Sequence, residues 1–283
     1  MKSYDEIVTT CKTHWQDCHE GEAVKVKNMA MLSSFDIGDI YKLSQEQARA
    51  LLVGSSYLLA YRGMNVVITE DQVKLWDAIG KHLLDPPSLY FKETFDKPFE
   101  MTYFRNLFVT TIKTETGAWQ LAQTNQLPKW KWFDATSEYP FSVRATRPGE
   151  YFVFPLFEAV LKKALSDYID MSGKVIKEFR HYVPGDNSRS KSHCSNIGHL
   201  VTCLVNRSEN ETLKKDLTSI LELIECLYPD RENASDVIAN DWRNPALHGD
   251  ENVSTSSVVI LNLALLIAVH SCTEEEWEAR FEV

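Results

Sequence analysis

The segment Asp241–Asp250, Asp-Trp-Arg-Asn-Pro-Ala-Leu-His-Gly-Asp, places an arginine and a histidine five residues apart. Arg243 offers a planar cationic fork that suits a phosphate group. His248 can accept or donate a proton near neutral pH. Together they supply what RNA cleavage by its own 2′-hydroxyl requires, namely a proton carrier and a cation that stabilises the pentavalent phosphorane. That chemistry needs no metal ion.

The same spacing also has a purely structural interpretation. An arginine can pair with a local acid and a histidine can cap a helix, and both arrangements are commoner than catalysis. If Pro245 opens a helical turn, Asn244 caps that turn, and Arg243 and His248 can then point into one cleft. Residue types alone therefore favour the structural interpretation.

The elements that must position this segment are expected in a globular chain. The 283 residues are 44% hydrophobic and 25% charged, which suits two domains. A net charge of −10 argues against a broad basic surface that coats nucleic acid, but allows contact with one strand at a small site. Residues 1–149 carry a charge of −1 and residues 150–283 a charge of −9, which favours a boundary near Gly149.

Helix signals dominate the first half of the chain. Two helices are predicted to start at capping boxes, Ser44–Gln47 and Thr69–Gln72, and a third to run from 101 to about 123. Short strands are allowed only at 64–69 and 135–147. We therefore expect residues 1–149 to form a mostly helical domain for recognition or regulation.

The second half predicts an antiparallel bundle of four or five helices. A long helix is expected from Phe152 to about Arg180, with Pro155 in its first turn. A short helix at 197–205 and an amphipathic helix at 213–227 follow. The last core helix, at 256–271, is apolar nearly all round, so it must be central or lie at a subunit interface. The expected fold class is mainly α.

The pattern Arg243-Asn244-x-x-x-His248-Gly249, between an amphipathic and an apolar helix, resembles the HEPN superfamily over residues 149–283. Members with the intact motif are typically metal-independent endoribonucleases of toxin–antitoxin, abortive-infection and RNA-processing systems. Their active site is usually composite, formed where two motifs meet in a dimer. The resemblance implies that His248 transfers protons, that Arg243 holds the scissile phosphate and that Asn244 orients one of them. The expected products are a 2′,3′-cyclic phosphate and a 5′-hydroxyl.

The resemblance bears on two further positions. Many members carry an acidic or polar residue on the first long helix, facing the arginine, and Glu158 is the nearest candidate. The alternative for Glu158 is a favourable charge in the first turn of its helix. Some toxin members carry a tyrosine two residues after the histidine, which a partner nucleotidyltransferase modifies. Asp250 occupies that position here, so this mode of silencing is not expected.

The expected setting is antiviral defence or a toxin–antitoxin pair in the cytoplasm. The sequence predicts neither an export signal nor a membrane span, and six scattered cysteines predict reduced thiols. The expected partners are RNA, with tRNA as a candidate target, a second copy of the chain, and an antitoxin or regulator. No cofactor is expected.

Additional contacts to RNA are expected from a polar loop that contains Arg180, Arg189 and Lys191. The segment Lys129–Phe133 alternates cations with aromatic rings, as surfaces that stack bases do. Packing of that segment on its own domain or on a dimer partner is the commoner explanation.

A compact group of metal-ligating residue types lies near the start of the chain. Cys11, His14 and Cys18 would share one face of a helix, next to His19, and zinc suits such ligands. Ligands so close in sequence leave no loop to wrap an ion, so we expect no metal site.

Two other functions stay open at this level. The chain could be a non-catalytic HEPN module that binds a nucleotide, RNA or a protein, although a scaffold has no need of both Arg243 and His248. It could also be an unrelated helical interaction protein in which the motif is accidental, and monomeric behaviour would favour that interpretation.

Overall fold

Helices account for most of the described chain. The structure, a computed structural model, describes residues 2–20, 35, 38–60, 69–84, 90, 102–114, 147–177, 193–194, 196–248 and 254–279. The helices in these ranges are α1 (Tyr4–Glu20), α2 (Gln45–Leu59), α3 (Glu70–Leu84), α4 (102–114), α5 (Arg147–Ala164), α6 (Ile197–Arg207), α7 (Glu211–Leu227), α8 (Ala234–Asp236, Val237–Arg243 and Asn244–His248 in succession), α9 (Ser254–His270) and α10 (Glu274–Glu278). The mainly α class is therefore confirmed. The four/five-helix HEPN arrangement is finer than this and stays a prediction.

The apolar helix α9 is central, which is one of the two placements that its sequence predicts. From Val258 to Val269 every residue is at most 2% exposed. The helix packs on α5 and α2, with further contacts to α3 and α7. Because α9 has no polar face, burial against several neighbours is the arrangement that removes its side chains from water.

One polar side chain interrupts the apolar surface of α9. Asn262 is fully buried, and its Oδ1 accepts a hydrogen bond of 2.8 Å from Trp76 Nε1 of α3. Its Nδ2 donates to the hydroxyls of Ser55 and Ser56 of α2, at 3.0 and 3.1 Å. The amide is satisfied at both ends, so its burial carries no penalty of unmade hydrogen bonds.

The hydrophobic core does not divide at residue 149. It joins apolar residues of α1, α2 and α3 to those of α5, α7 and α9 in one cluster. Within the described ranges, apolar residues from both sides of the predicted boundary lie in one cluster, and the boundary itself stays a prediction. Charge balance describes mainly the solvated surface, whereas the core depends on which apolar faces meet.

A buried ionic cluster, made of Tyr4, Arg49, Asp216 and His270, ties α1 and α2 to α7 and α9. Asp216 is 0% exposed. Its Oδ2 lies 2.8 Å from both Arg49 Nε and His270 Nε2, and its Oδ1 accepts a hydrogen bond of 2.5 Å from the Tyr4 hydroxyl. Burial alone would raise the pKa of Asp216, but hydrogen bonds from His270, Arg49 and Tyr4 outweigh it and lower that pKa.

The predicted helix starts are confirmed to different degrees. Ser44 forms the full capping box with Gln47 at the start of α2. Thr69 Oγ1 accepts a hydrogen bond of 3.3 Å from the Gln72 backbone, and α3 begins at Glu70. α4 covers 102–114 of the helix predicted to reach 123. The strands allowed at 64–69 and 135–147 fall almost wholly outside the described residues.

The prediction of one helix from Phe152 to Arg180 is wrong at both ends. The helix begins at Arg147, so Pro155 lies inside it, and it ends at Ala164. After that, the Asp170 carboxylate accepts hydrogen bonds of 2.9 Å from the backbone N–H groups of Ser172 and Lys174. An aspartate that bonds the backbone two residues ahead stabilises a turn in place of a helix.

Gly173 completes this turn with a φ of +90°. We expect Gly173→Ala to lower the free energy of unfolding by about 2 kcal/mol or more, from left-handed strain together with overpacking. A Cβ atom at this position would lie only 2.9 Å from the Cys194 carbonyl oxygen. Gly38 is the matched control, because it has a φ of +66° but nothing within 4 Å of such a Cβ. Urea unfolding of Gly173→Ala and Gly38→Ala measures the difference. Equal losses of unfolding free energy would show that the approach to the Cys194 carbonyl oxygen adds no cost.

Candidate functional site

Helix α8 carries the Arg243/His248 motif and changes its hydrogen-bond pattern there. Residues Val237–Arg243 form a π-helix, which is rare and is found often at functional sites. Pro245 lies two residues after the π-helix and has no N–H group, so the Asp241 carbonyl lacks its usual α-helical partner four residues ahead.

Two apolar anchors fix the rotation of α8. Trp242 is 3% exposed, and its Nε1 donates a hydrogen bond of 3.0 Å to the Tyr228 hydroxyl. Ala246, one turn later, is also 3% exposed. With these side chains directed into the core, Arg243 emerges at its margin with 31% of its side chain exposed.

Arg243 lies beside Glu158 of α5. Its Nη2 is 3.9 Å from Glu158 Oε2. Glu158 Oε1 forms an ion pair with Lys162 Nζ at 2.7 Å. The arginine contact is longer than a hydrogen bond, so it orients the guanidinium electrostatically and uses none of its N–H groups at normal bonding length. Those groups can therefore meet a phosphate.

The position of Glu158 removes one of its two interpretations. Helix α5 begins at Arg147, so Glu158 lies about three turns into it and not in its first turn. The charge of a helix end falls off within one turn and does not explain this carboxylate. Its contacts are with two cations, Arg243 and Lys162.

Asp241, the acid of this segment that the structure describes, does not pair with Arg243. Asp241 forms its ion pair with Arg231 instead. Asp241 therefore does not provide the local ion pair that the structural interpretation assigns to Arg243. The carboxylate that contacts Arg243 comes from another helix, α5.

Asn244 adjoins the arginine but is not a helix cap. Its φ and ψ of −65° and −48° are helical, because α8 continues through it from Ala234. The cap expected from the sequence is therefore wrong. Its Oδ1 lies 3.5 Å from Arg243 Nη1, and its Nδ2 lies 3.4 Å from Asn240 Oδ1. Asn244 thus lies beside the guanidinium of Arg243.

His248 is the last residue of α8. At about 1.5 Å per residue, its backbone lies roughly 7.5 Å along the axis from Arg243. The structure does not describe the His248 side chain, and Gly249 and Asp250 lie outside the described residues. The structure thus brings Arg243, Asn244 and Glu158 together and places the His248 backbone on the same short helix.

A cavity of about 320 Å³ is lined in part by Glu158. It lies between α4, α5 and the turn after α5. Its lining comprises Tyr103, Phe104, Leu107, Pro155, Glu158, Ala159, Lys162, Met171 and Ser172. The sequence interpretation missed this cavity. The spacing of Glu158 and Lys162 was visible as an i,i+4 ion pair, but the approach of α4 to α5 leaves no local signal.

Most of the other residues that the sequence predicts for a site lie outside the described part of the chain. The Arg180, Arg189 and Lys191 loop and the Lys129–Phe133 segment lie outside the described residues. In the described part of the chain, no cluster of three or more metal-ligating side chains is found. Cys11 lies in the core, and burial raises the pKa of its thiol to about 12, so it is a protonated packing residue at neutral pH. The Cys18 and His19 side chains are not described.

Comparison with known proteins gives no relative. No family model, no curated protein and no solved structure matches the chain. Among the helices of the described ranges, none combines the length and the apolar character needed to cross a lipid bilayer.

Proposed function

We propose that this chain is a metal-independent endoribonuclease of the HEPN type. The observation that carries the proposal is the contact between Arg243 of α8 and Glu158 of α5, at 3.9 Å. Helix α8 also carries His248, at its end. A partly exposed arginine that contacts a carboxylate of another helix, with a histidine five residues later on its own helix, suits phosphate chemistry better than it suits packing.

In the proposed reaction, His248 removes the proton from the ribose 2′-hydroxyl. The 2′-oxygen then forms a bond to the adjacent phosphorus, and the bond from phosphorus to the 5′-oxygen breaks. The leaving oxygen takes up a proton from the protonated His248 of a second copy of the chain, which gives a 2′,3′-cyclic phosphate and a 5′-hydroxyl. Arg243 stabilises the charge on the non-bridging oxygens of the phosphorane, Asn244 steadies Arg243, and Glu158 positions it.

The base and the acid of this reaction act on opposite sides of the phosphorus, and one histidine cannot occupy both places. We therefore propose a homodimer in which two copies of α8 meet and form a composite site, as the HEPN resemblance implies. With an acidic chain of net charge −10, a selected structured RNA such as tRNA is the favoured substrate. Defence or toxin activity under an antitoxin or regulator is the proposed setting, in the cytoplasm.

The test is cleavage of total RNA in the presence of a chelator. The wild type should cleave and leave cyclic-phosphate ends, whereas Arg243→Ala should cleave about 10²- to 10³-fold more slowly, because a stabiliser of the transition-state charge is lost. Arg207→Ala is the control, since this exposed arginine ends α6 and should leave the rate unchanged. If neither the wild type nor Arg243→Ala cleaves any RNA, while both bind RNA equally, the chain is a non-catalytic module.

A further inference from the structure

The cavity beside Glu158 has two kinds of wall. One wall is apolar and aromatic, from Tyr103, Phe104 and Leu107 of α4. The other is the face of α5 that carries Glu158 and Lys162, whose charged atoms lie 2.7 Å apart. A volume of about 320 Å³ is in the range of small-ligand pockets. A ligand that matches this lining combines an apolar body with hydrogen-bond donors and acceptors.

Glu158 connects this cavity to the arginine. One carboxylate oxygen pairs with Lys162 inside the cavity wall, and the other faces Arg243. A phosphate held by Arg243 would thus lie near a carboxylate that also lines the cavity. In a nucleotide, base and phosphate are joined through one ribose, which matches two subsites separated by one side chain.

From this geometry we infer that the cavity is a base subsite that receives one unpaired guanine of the RNA. The inference rests on the proposed ribonuclease function for the identity of the ligand. RNA-binding proteins recognise single-stranded RNA by stacking splayed bases on aromatic rings and bonding to their edges. Tyr103 is 61% exposed at the mouth, where its ring can stack on a base.

The choice of guanine follows from the charged pair. An ionised glutamate only accepts hydrogen bonds, and a lysine ammonium only donates them. Guanine offers two neighbouring N–H groups, at N1 and N2, to a carboxylate, with the O6 carbonyl adjacent for an ammonium. Adenine, cytosine and uracil each offer a single N–H-bearing position on that edge. Lysine is also a recognised partner of guanine O6 and N7.

The test separates binding from cleavage. Short fluorescent oligouridines with 2′-fluoro riboses throughout, which cannot cleave themselves, carry one central guanine, adenine, cytosine or uracil. Fluorescence anisotropy should show tightest binding of the guanine oligonucleotide to the wild type. Tyr103→Ala should weaken that binding about 5- to 150-fold through lost stacking, and Lys162→Met should reduce the preference for guanine.

Tyr151→Ala is the matched control, because Tyr151 is a similarly exposed tyrosine of α5, at 41%, and does not line the cavity. Cleavable versions of the same oligonucleotides report the enzyme. Cleavage that is indifferent to the base and to Tyr103 overturns the guanine subsite and leaves the ribonuclease standing. Guanine binding that depends on Tyr103, without any cleavage, overturns the ribonuclease and supports the subsite. Loss of both overturns both.

Discussion

His248→Ala is expected to lower the rate of RNA cleavage by about 10²- to 10⁴-fold, the range that a positioned proton-transfer group supplies. The variant removes the proposed base from the end of α8 while leaving Arg243 and Glu158 in contact. Substrate binding should change little, since the phosphate and base contacts come from other side chains. The measurement is the single-turnover rate on a defined RNA with chelator, together with the dissociation constant.

The control for this variant is His193→Ala. His193 is exposed and belongs to no helix of the described chain, so its loss should leave the rate unchanged. Thermal unfolding of both variants separates a chemical effect from a folding effect. Cleavage at the wild-type rate by His248→Ala would place the chemistry elsewhere and would make the spacing of Arg243 and His248 accidental.

Asp216→Ala should have the largest effect on stability, a loss of about 3–5 kcal/mol in the free energy of unfolding. The reason is that Arg49 and His270 would keep their positions in the core without the carboxylate that both contact at 2.8 Å. Tyr4 would also lose the acceptor of its hydroxyl. Urea unfolding at neutral pH measures the loss.

The neighbouring pair of Asp5 and Lys215 is a matched control. It joins the same two helices, α1 and α7, at 3.3 Å, but its side chains are 81% and 61% exposed. Ion pairs in such positions are screened by water, so Asp5→Ala should leave the unfolding midpoint nearly unchanged. A similar loss of unfolding free energy in both variants would show that the effect of Asp216→Ala does not come from the burial of Asp216.

The ionic cluster of Tyr4, Arg49, Asp216 and His270 should also set part of the acid sensitivity of the fold. The pKa of Asp216 is lower in the folded protein than its ordinary value of 3.8. Its stabilising contribution is therefore complete above that ordinary value and is lost as the pH falls toward the lowered pKa. Asp216→Ala should accordingly have a shallower decline of stability with acid than the wild type.

Much of the helix content was predictable because its signals are local. The capping box at Ser44 predicts a helix start, and the all-apolar stretch of α9 predicts a helix that is either central or at a subunit interface. The helix start is found, and α9 is central. The end of α5 was not predictable in the same way. Apolar spacing continues past Ala164, whereas the turn depends on Asp170 and on the meeting of Gly173 with Cys194.

In the candidate site, too, the residues on one segment were predictable and the contacts between helices were not. Arg243 and His248 are recognisable from one segment of sequence, because both lie on α8. The partner Glu158 was named only through the HEPN resemblance, and its contact with Arg243 depends on how α5 lies against α8. Tyr103 was not named at all, since its place beside Glu158 arises from the packing of α4 on α5.

Asn262 gives the central helix a unique register. Residues one turn away on either side, Val258 and Leu266, are apolar. A slide of α9 by one turn would set one of them against Trp76 Nε1 and would leave the amide of Asn262 facing hydrocarbon. Each orphaned polar group would cost about 1–3 kcal/mol. A helix of nearly uniform hydrophobicity would slide at little cost, and this single amide makes one alignment preferable to its neighbours.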